Sequence, residues 1–104
     1  MKKLEKNKKV KHLVAALNRK NNIEVINFMI KNEGKVIPYS EILEGMTEMK
    51  YNAPLSQALS ELSRVGILDK NIYKDRQIRA TYTLNTKRYL SVMDGIQLLT
   101  SSIL

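Results

Sequence analysis

Residues 52 to 68 hold the densest set of side chains with chemistry to offer: Asn-Ala-Pro-Leu-Ser-Gln-Ala-Leu-Ser-Glu-Leu-Ser-Arg-Val-Gly-Ile-Leu. Leu55, Leu59, Leu62 and Val65 recur at intervals of four, three and three, which is the spacing of one apolar stripe on a helix. Ser56, Gln57, Ser60 and Arg64 fall on the opposite face. Their hydroxyl, amide and guanidinium groups match base edges and phosphates better than a protein core. Gln57 suits the donor and acceptor pair of adenine, and Arg64 suits a phosphate. Asn52 is able to cap this helix, and Pro54 falls in the first turn, where its missing N–H costs little. Lys74, Arg76 and Arg79 form a second basic group, at a charged turn between two β-forming runs and within reach of phosphates or a minor groove. Glu61 lies where it either tunes Arg64 or faces solvent.

These groups need a scaffold, and the rest of the chain supplies one. Val10, Leu13, Val14 and Leu17 follow the i, i+3, i+4, i+7 pattern of a helix from about Lys8 to Leu17, and the lysines before it are expected to fray by mutual repulsion. Asn21 or Asn22 is placed to cap a second helix. Its apolar residues from Ile23 to Ile30 nearly encircle it, as a central helix packed on several sides requires, and Gly34 suits its left-handed close. The β-branched pair in Lys35-Val36-Ile37-Pro38-Tyr39 predicts a short strand. Ser40 can cap a short helix that turns Ile42 and Leu43 inward and ends at Gly45. That helix, the turn from Met46 to Tyr51 and the helix of about residues 53–65 make a helix-turn-helix. Beyond Gly66, the run from Ile67 to Tyr73 and the run from Ile78 to Leu84 predict a β-hairpin with a charged tip.

Asn85 or Thr86 can cap a last helix, about residues 87–104, with Gly95 in its interior. This helix is too apolar for a small domain to cover. Its Tyr89, Val92, Met93, Ile96, Leu99 and Ile103, together with Val10, Leu13 and Leu17 of the first helix, are expected to form the interface of a two-fold homodimer. The competing reading is that they complete the chain's own core. The predicted class is therefore mainly α with a small β-hairpin, in the order α-α-β-α-α-β-β-α. It forms a single domain over residues 1–104 with a basic segment at 1–9.

Charge and composition narrow the function. Eighteen Lys and Arg against ten Asp and Glu give a net charge of +8, which points to a polyanion, with nucleic acid first among candidates. The charge is uneven: +7 over residues 1–20, +4 over 67–88, and zero over 46–66, so basic ends flank a neutral reading helix. The chain has no cysteine, which excludes disulfides and thiolate metal sites. His12 stands alone, off the apolar stripe, and makes a poor metal ligand. No phosphate-cradling glycine loop occurs, and the acid pairs Glu41 with Glu44 and Glu24 with Glu33 read as helix surface, so no enzyme and no cofactor is expected. The N-terminus lacks the apolar run of a signal peptide and no stretch is long enough to span a membrane, so a cytoplasmic location is expected.

The run Leu55-Ser56-Gln57-Ala58-Leu59-Ser60-Glu61-Leu62, followed by Arg64-Val65-Gly66-Ile67-Leu68, resembles the recognition-helix signature of ArsR-type and MarR-type winged helix-turn-helix transcriptional regulators. Tyr82-Thr83-Leu84-Asn85 is similar to their Tyr-x-Leu-Thr unit, where the wing ends and the last helix begins. The resemblance implies that Ser56 and Gln57 approach bases, that Ser60 and Arg64 lie along the groove or against phosphate, and that Arg76 and Arg79 belong to a basic wing. Metal sensing of the ArsR type is not implied, since its cysteine and histidine clusters are missing. Two functions remain in view. One is a dimeric regulator that reads double-stranded DNA. The other is a winged-helix interaction or assembly module with only non-specific nucleic-acid affinity.

Overall fold

Eight elements follow one another in the expected order: α1 (Lys2–Leu17), α2 (Lys20–Lys31), β1 (Ile37–Pro38), α3 (Tyr39–Gly45), α4 (Asn52–Arg64), β2 (Leu68–Lys74), β3 (Ile78–Leu84) and α5 (Thr86–Ile103). The computed structural model describes residues 2–46, 52–74 and 78–103, and the side chains of 9–46, 53–74 and 79–97. Most of the turn from Met46 to Tyr51 and the wing tip with Arg76 lie outside the described residues. The three strands form one antiparallel sheet in the order β1-β3-β2. Ile37 stands opposite Tyr82, and the hairpin runs in register from Leu68 opposite Leu84 to Lys74 opposite Ile78. Together α3, α4 and this sheet make a winged helix-turn-helix.

The leucine stripe does what its spacing implies. Leu55, Leu59 and Leu62 are fully buried, joined by Ala58, and they pack with Val25, Ile26 and Met29 of α2, Ile42 of α3, and Leu68, Tyr82 and Leu84 of the sheet. Burying one such leucine contributes about 1.5–3 kcal/mol, so the stripe anchors α4 firmly. The helix stops at a Schellman turn. Gly66 has φ +83°, its N–H donates to the Ser63 carbonyl at 3.2 Å, and the Ile67 N–H donates to the Leu62 carbonyl at 3.0 Å. Leu62 and Ile67, the apolar pair that accompanies this motif, are both fully buried. Gly34 is left-handed too, at φ +81°, in the turn just beyond the α2 C-cap at Asn32.

Several local expectations are corrected. The first helix begins at Lys2 rather than near Lys8. Lysine, leucine and glutamate are strong helix formers, and Glu5 stands four residues before Lys9 in the favourable order, which offsets lysine repulsion. Neither Asn21 nor Asn22 caps α2. Arg19 holds the N-cap position without a side-chain bond, and Asn22 is drawn inward to other partners. Ser40 does not cap α3 either, because the extended backbone of Pro38 (φ −66°, ψ 153°) starts that helix and leaves Ser40 exposed in its first turn. Gly45 ends α3 as expected, for a packing reason: a methyl group there would overlap the Phe28 ring. Asn85 does cap α5, its Oδ1 accepting the Arg88 N–H at 3.1 Å.

Burial on the helices is more one-sided than their composition suggests. On α2, Val25, Ile26 and Met29 are buried while Ile23 and Ile30 stay 41% and 37% exposed. On α1, Ala16 is fully buried, Leu13 and Leu17 pack against the core, and Val10 and Val14 are exposed. Tyr89 and Val92 of α5 also join the core, whereas Leu90 and Met93 face outward and Ile96 is half-buried. The side chains of Leu99 and Ile103 lie outside the described ones.

Candidate nucleic-acid interface

Ser56, Gln57, Ser60 and Arg64 are all exposed on α4, on the face turned away from the leucine stripe. The helix thus separates its two jobs by periodicity: apolar groups at one side hold it, and hydrogen-bonding groups at the other meet the surroundings. Asn52 opens α4, but its side chain is outside the described ones. The Tyr39 and Ser56 hydroxyls share a hydrogen bond at 3.2 Å, which braces α4 against α3, the other helix of the turn. Ser56 is therefore partly committed to its own protein, whereas Gln57, Ser60 and Arg64 make no such bond among the described residues.

Glu61 is only partly exposed, at 24%, and is paired with groups other than Arg64. Its Oε1 accepts from Arg19 Nε at 3.0 Å and from Asn22 Nδ2 at 2.6 Å. Charge neutralised there matters for the flank of α4, because it leaves the neighbouring cations as the main charges. A cavity of about 570 Å³ opens between α1, the end of α4 and the start of α5, and Lys9, His12, Arg19, Arg64 and Arg88 line it. A smaller notch of about 200 Å³, beside Gln57 and Pro54, is bounded by Arg19, Lys20 and Asn21. Arg19, Lys20 and Arg88 were not singled out by their sequence context. Only their charge marks them, and helix spacing cannot tell which cations from other helices gather beside α4.

The described cations that the sequence assigns to the wing, Lys74 and Arg79, are not grouped on one side. Lys74 and Arg79 are exposed, and Arg79 stands opposite Tyr73, the residue before Lys74. Since successive strand residues alternate faces, Lys74 and Arg79 project from opposite faces of the ribbon. Lys70 shares the face of Lys74, with its ammonium 5.9 Å from the centre of the Tyr82 ring. Burial raises the Tyr82 hydroxyl above its ordinary pKa of 10.0, and nearby Tyr39 adds to the shift. Tyr82 is thus an uncharged part of the sheet at neutral pH.

Among the described residues, no group of three or more His, Cys, Asp or Glu is placed to hold a metal ion. No described helix is long and apolar enough to cross a membrane. A second concavity, about 450 Å³ and mainly apolar, lies between α1, α2 and α5 and is lined by Val14, Leu17, Ile23, Tyr89, Met93 and Ile96. Val14 of α1, Ile23 of α2 and Met93 of α5 are exposed along it, and no residue of α4 lines it.

No protein-family model matches the chain, and no curated protein matches it either. Among solved structures, one described as a transcriptional regulator of the MarR family, from Porphyromonas gingivalis W83, superposes with a TM-score of 0.63. The likeness covers 91% of each chain at 20% sequence identity. At that identity it establishes a shared winged helix-turn-helix fold.

Proposed function

We propose that the chain is a non-catalytic transcriptional regulator that binds double-stranded DNA as a homodimer. The helix of about residues 53–65 enters the major groove, and the wing of about residues 73–80 meets the backbone or the minor groove. The observation that carries this reading is the division of α4 into a fully buried leucine stripe and an exposed face of Ser56, Gln57, Ser60 and Arg64. A net charge of +8 supports the choice of a polyanion, and the fold shared with a structure described as a transcriptional regulator supports the choice of a duplex. Base contacts from the neutral helix would choose the site, while the basic segments supply most of the affinity.

The dimer is supported by the apolar concavity that α1, α2 and α5 leave uncovered, where Val14, Ile23 and Met93 are 46%, 41% and 40% exposed. Two copies joined there would read an inverted repeat, with half-sites about one helical turn apart. Selection of bound fragments from a random duplex pool tests both parts. A palindromic consensus is the expected result. Recovery of fragments without a shared motif would leave only non-specific affinity, as expected of an assembly module.

A further inference from the structure

Asn22 is a polar side chain where packing alone would favour an apolar one. It lies in the first turn of α2 and is 2% exposed. An amide at that depth is costly unless its hydrogens find acceptors. Both Nδ2 hydrogens do: one goes to the Ala16 carbonyl at 2.7 Å, the other to Glu61 Oε1 at 2.6 Å. Ala16 belongs to the last turn of α1, where carbonyls have no helical partner ahead of them. The same Glu61 oxygen also accepts from Arg19, the N-cap residue of α2, at 3.0 Å. One buried amide therefore ties together the end of α1, the start of α2 and the last turn of α4.

The leucine stripe holds α4 down but sets its roll only loosely, because apolar burial has no direction and cores tolerate small repacking. Hydrogen bonds are directional and weaken steeply when misaligned. Glu61 stands one turn from Gln57 on one side and from Arg64 on the other, so an orientation imposed at Glu61 is imposed on both. The Arg19 pairing adds little, since its side chain is 63% exposed and such pairs are weak in water. The buried Asn22 contact is the stronger restraint.

We propose that Asn22 is a positioning residue for sequence reading: by holding Glu61 against the end of α1 it sets the roll of α4, and so the angle at which Gln57 and Ser60 meet base edges. This inference rests on the duplex-reading function proposed above. It also links α1, on the apolar side of the protein, to the reading helix through hydrogen bonds rather than packing alone.

The test compares binding of the full chain to its selected duplex and to a random duplex, with thermal melting measured alongside. Glu61→Gln keeps an oxygen acceptor for Asn22 while removing the charge, and the ratio of the two affinities should stay within about twofold. The double variant Asn22→Leu, Glu61→Met replaces the bonded pair by apolar side chains of similar volume, a change that such sites commonly tolerate. Its ratio should fall roughly tenfold through weaker binding to the selected duplex alone. A double variant that keeps the ratio, or loses affinity equally for both duplexes, overturns the proposal. So does a Glu61→Gln chain that loses the ratio as far as the double variant, since charge rather than position would then be responsible. Should the double variant unfold, Asn22→Ser, whose hydroxyl is one atom shorter, is judged by the same two outcomes. An unsubstituted chain with no preferred duplex would remove the duplex-reading function and this inference with it, whereas a preference that survives the double variant removes this inference only.

Discussion

Replacing Gln57 with alanine separates site choice from general affinity. Gln57 is exposed on α4 and lies next to the notch bounded by Pro54 and the α1–α2 corner, so its side chain is available to a partner without unpacking the core. A paired contact from glutamine to a base is worth about 1–3 kcal/mol of discrimination. That corresponds to about 5- to 150-fold weaker binding to the selected duplex. Glutamine is uncharged, so binding to a random duplex, which depends on phosphate neutralisation, should change by less than about twofold. Folding should hardly respond, because exposed substitutions of this kind usually stay within about 0.5 kcal/mol. Ser56→Ala should add a smaller loss, and Tyr39→Phe is its control: it removes the hydroxyl that bonds Ser56 while leaving the Ser56 hydroxyl in place. Fluorescence anisotropy on both duplexes, with thermal melts of each variant, gives all the quantities needed. Equal losses on the two duplexes, or no loss on either, would refute base reading by this face.

The wing, the turn after α4 and the sheet lead to further outcomes. Arg79→Ala should weaken binding to all duplexes and reduce the magnitude of the negative salt slope, d log K/d log[salt], by about 0.9, the value of one phosphate contact on B-DNA. Because Lys74 projects from the opposite face of the wing, Lys74→Ala combined with Arg79→Ala should reduce that magnitude by about 1.8 only if both faces touch phosphate, and titrations from low to moderate salt decide this. Gly66→Ala places a side chain at φ +83° and should cost about 1–2 kcal/mol by denaturant unfolding, with no change in the affinity ratio between duplexes. Thr81→Val removes a buried hydroxyl that has no hydrogen-bond partner while keeping the β-branched shape, so it should raise the melting temperature. Because burial raises the folded-state pKa of Tyr82, the folded chain holds that proton more tightly than the unfolded one. Stability should therefore be unaffected by this group below about pH 10 and fall as pH rises through the raised value, a fall that Tyr82→Phe should lessen in alkaline melts.

Periodic features were legible in the sequence. The 4-3-3 spacing of Leu55, Leu59, Leu62 and Val65 defined both faces of α4, and β-forming residues on either side of the charged Lys74-Asp75-Arg76-Gln77 located the hairpin. Glycines served as stops, and Gly66 and Gly34 adopt the left-handed backbone that such stops use. What escaped was set by partners far apart in sequence. Asn22 has the composition of a helix cap, but its acceptor on Glu61 lies 39 residues away, and that tertiary bond outweighed the local preference. Glu61 departs from its local pattern for the same reason, since helix spacing offers Arg64 as a neighbour but cannot indicate Arg19. The start of α3 shifted because a strand pairing holds Pro38 extended just before it, opposite Thr81. The grouping of Lys9, Arg64 and Arg88 around one cavity likewise depends on how three helices meet.

The central claim, that the polar face of α4 reads duplex DNA, is tested most directly by following backbone amide resonances while the selected duplex is titrated into the isotopically labelled chain. The predicted result is that the largest shifts fall at Ser56, Gln57, Ser60 and Arg64, with a second group in the wing at Lys74 and Arg79. Shifts concentrated on Leu90, Met93 and Ile96 of α5, with α4 unmoved at saturating duplex, would contradict it.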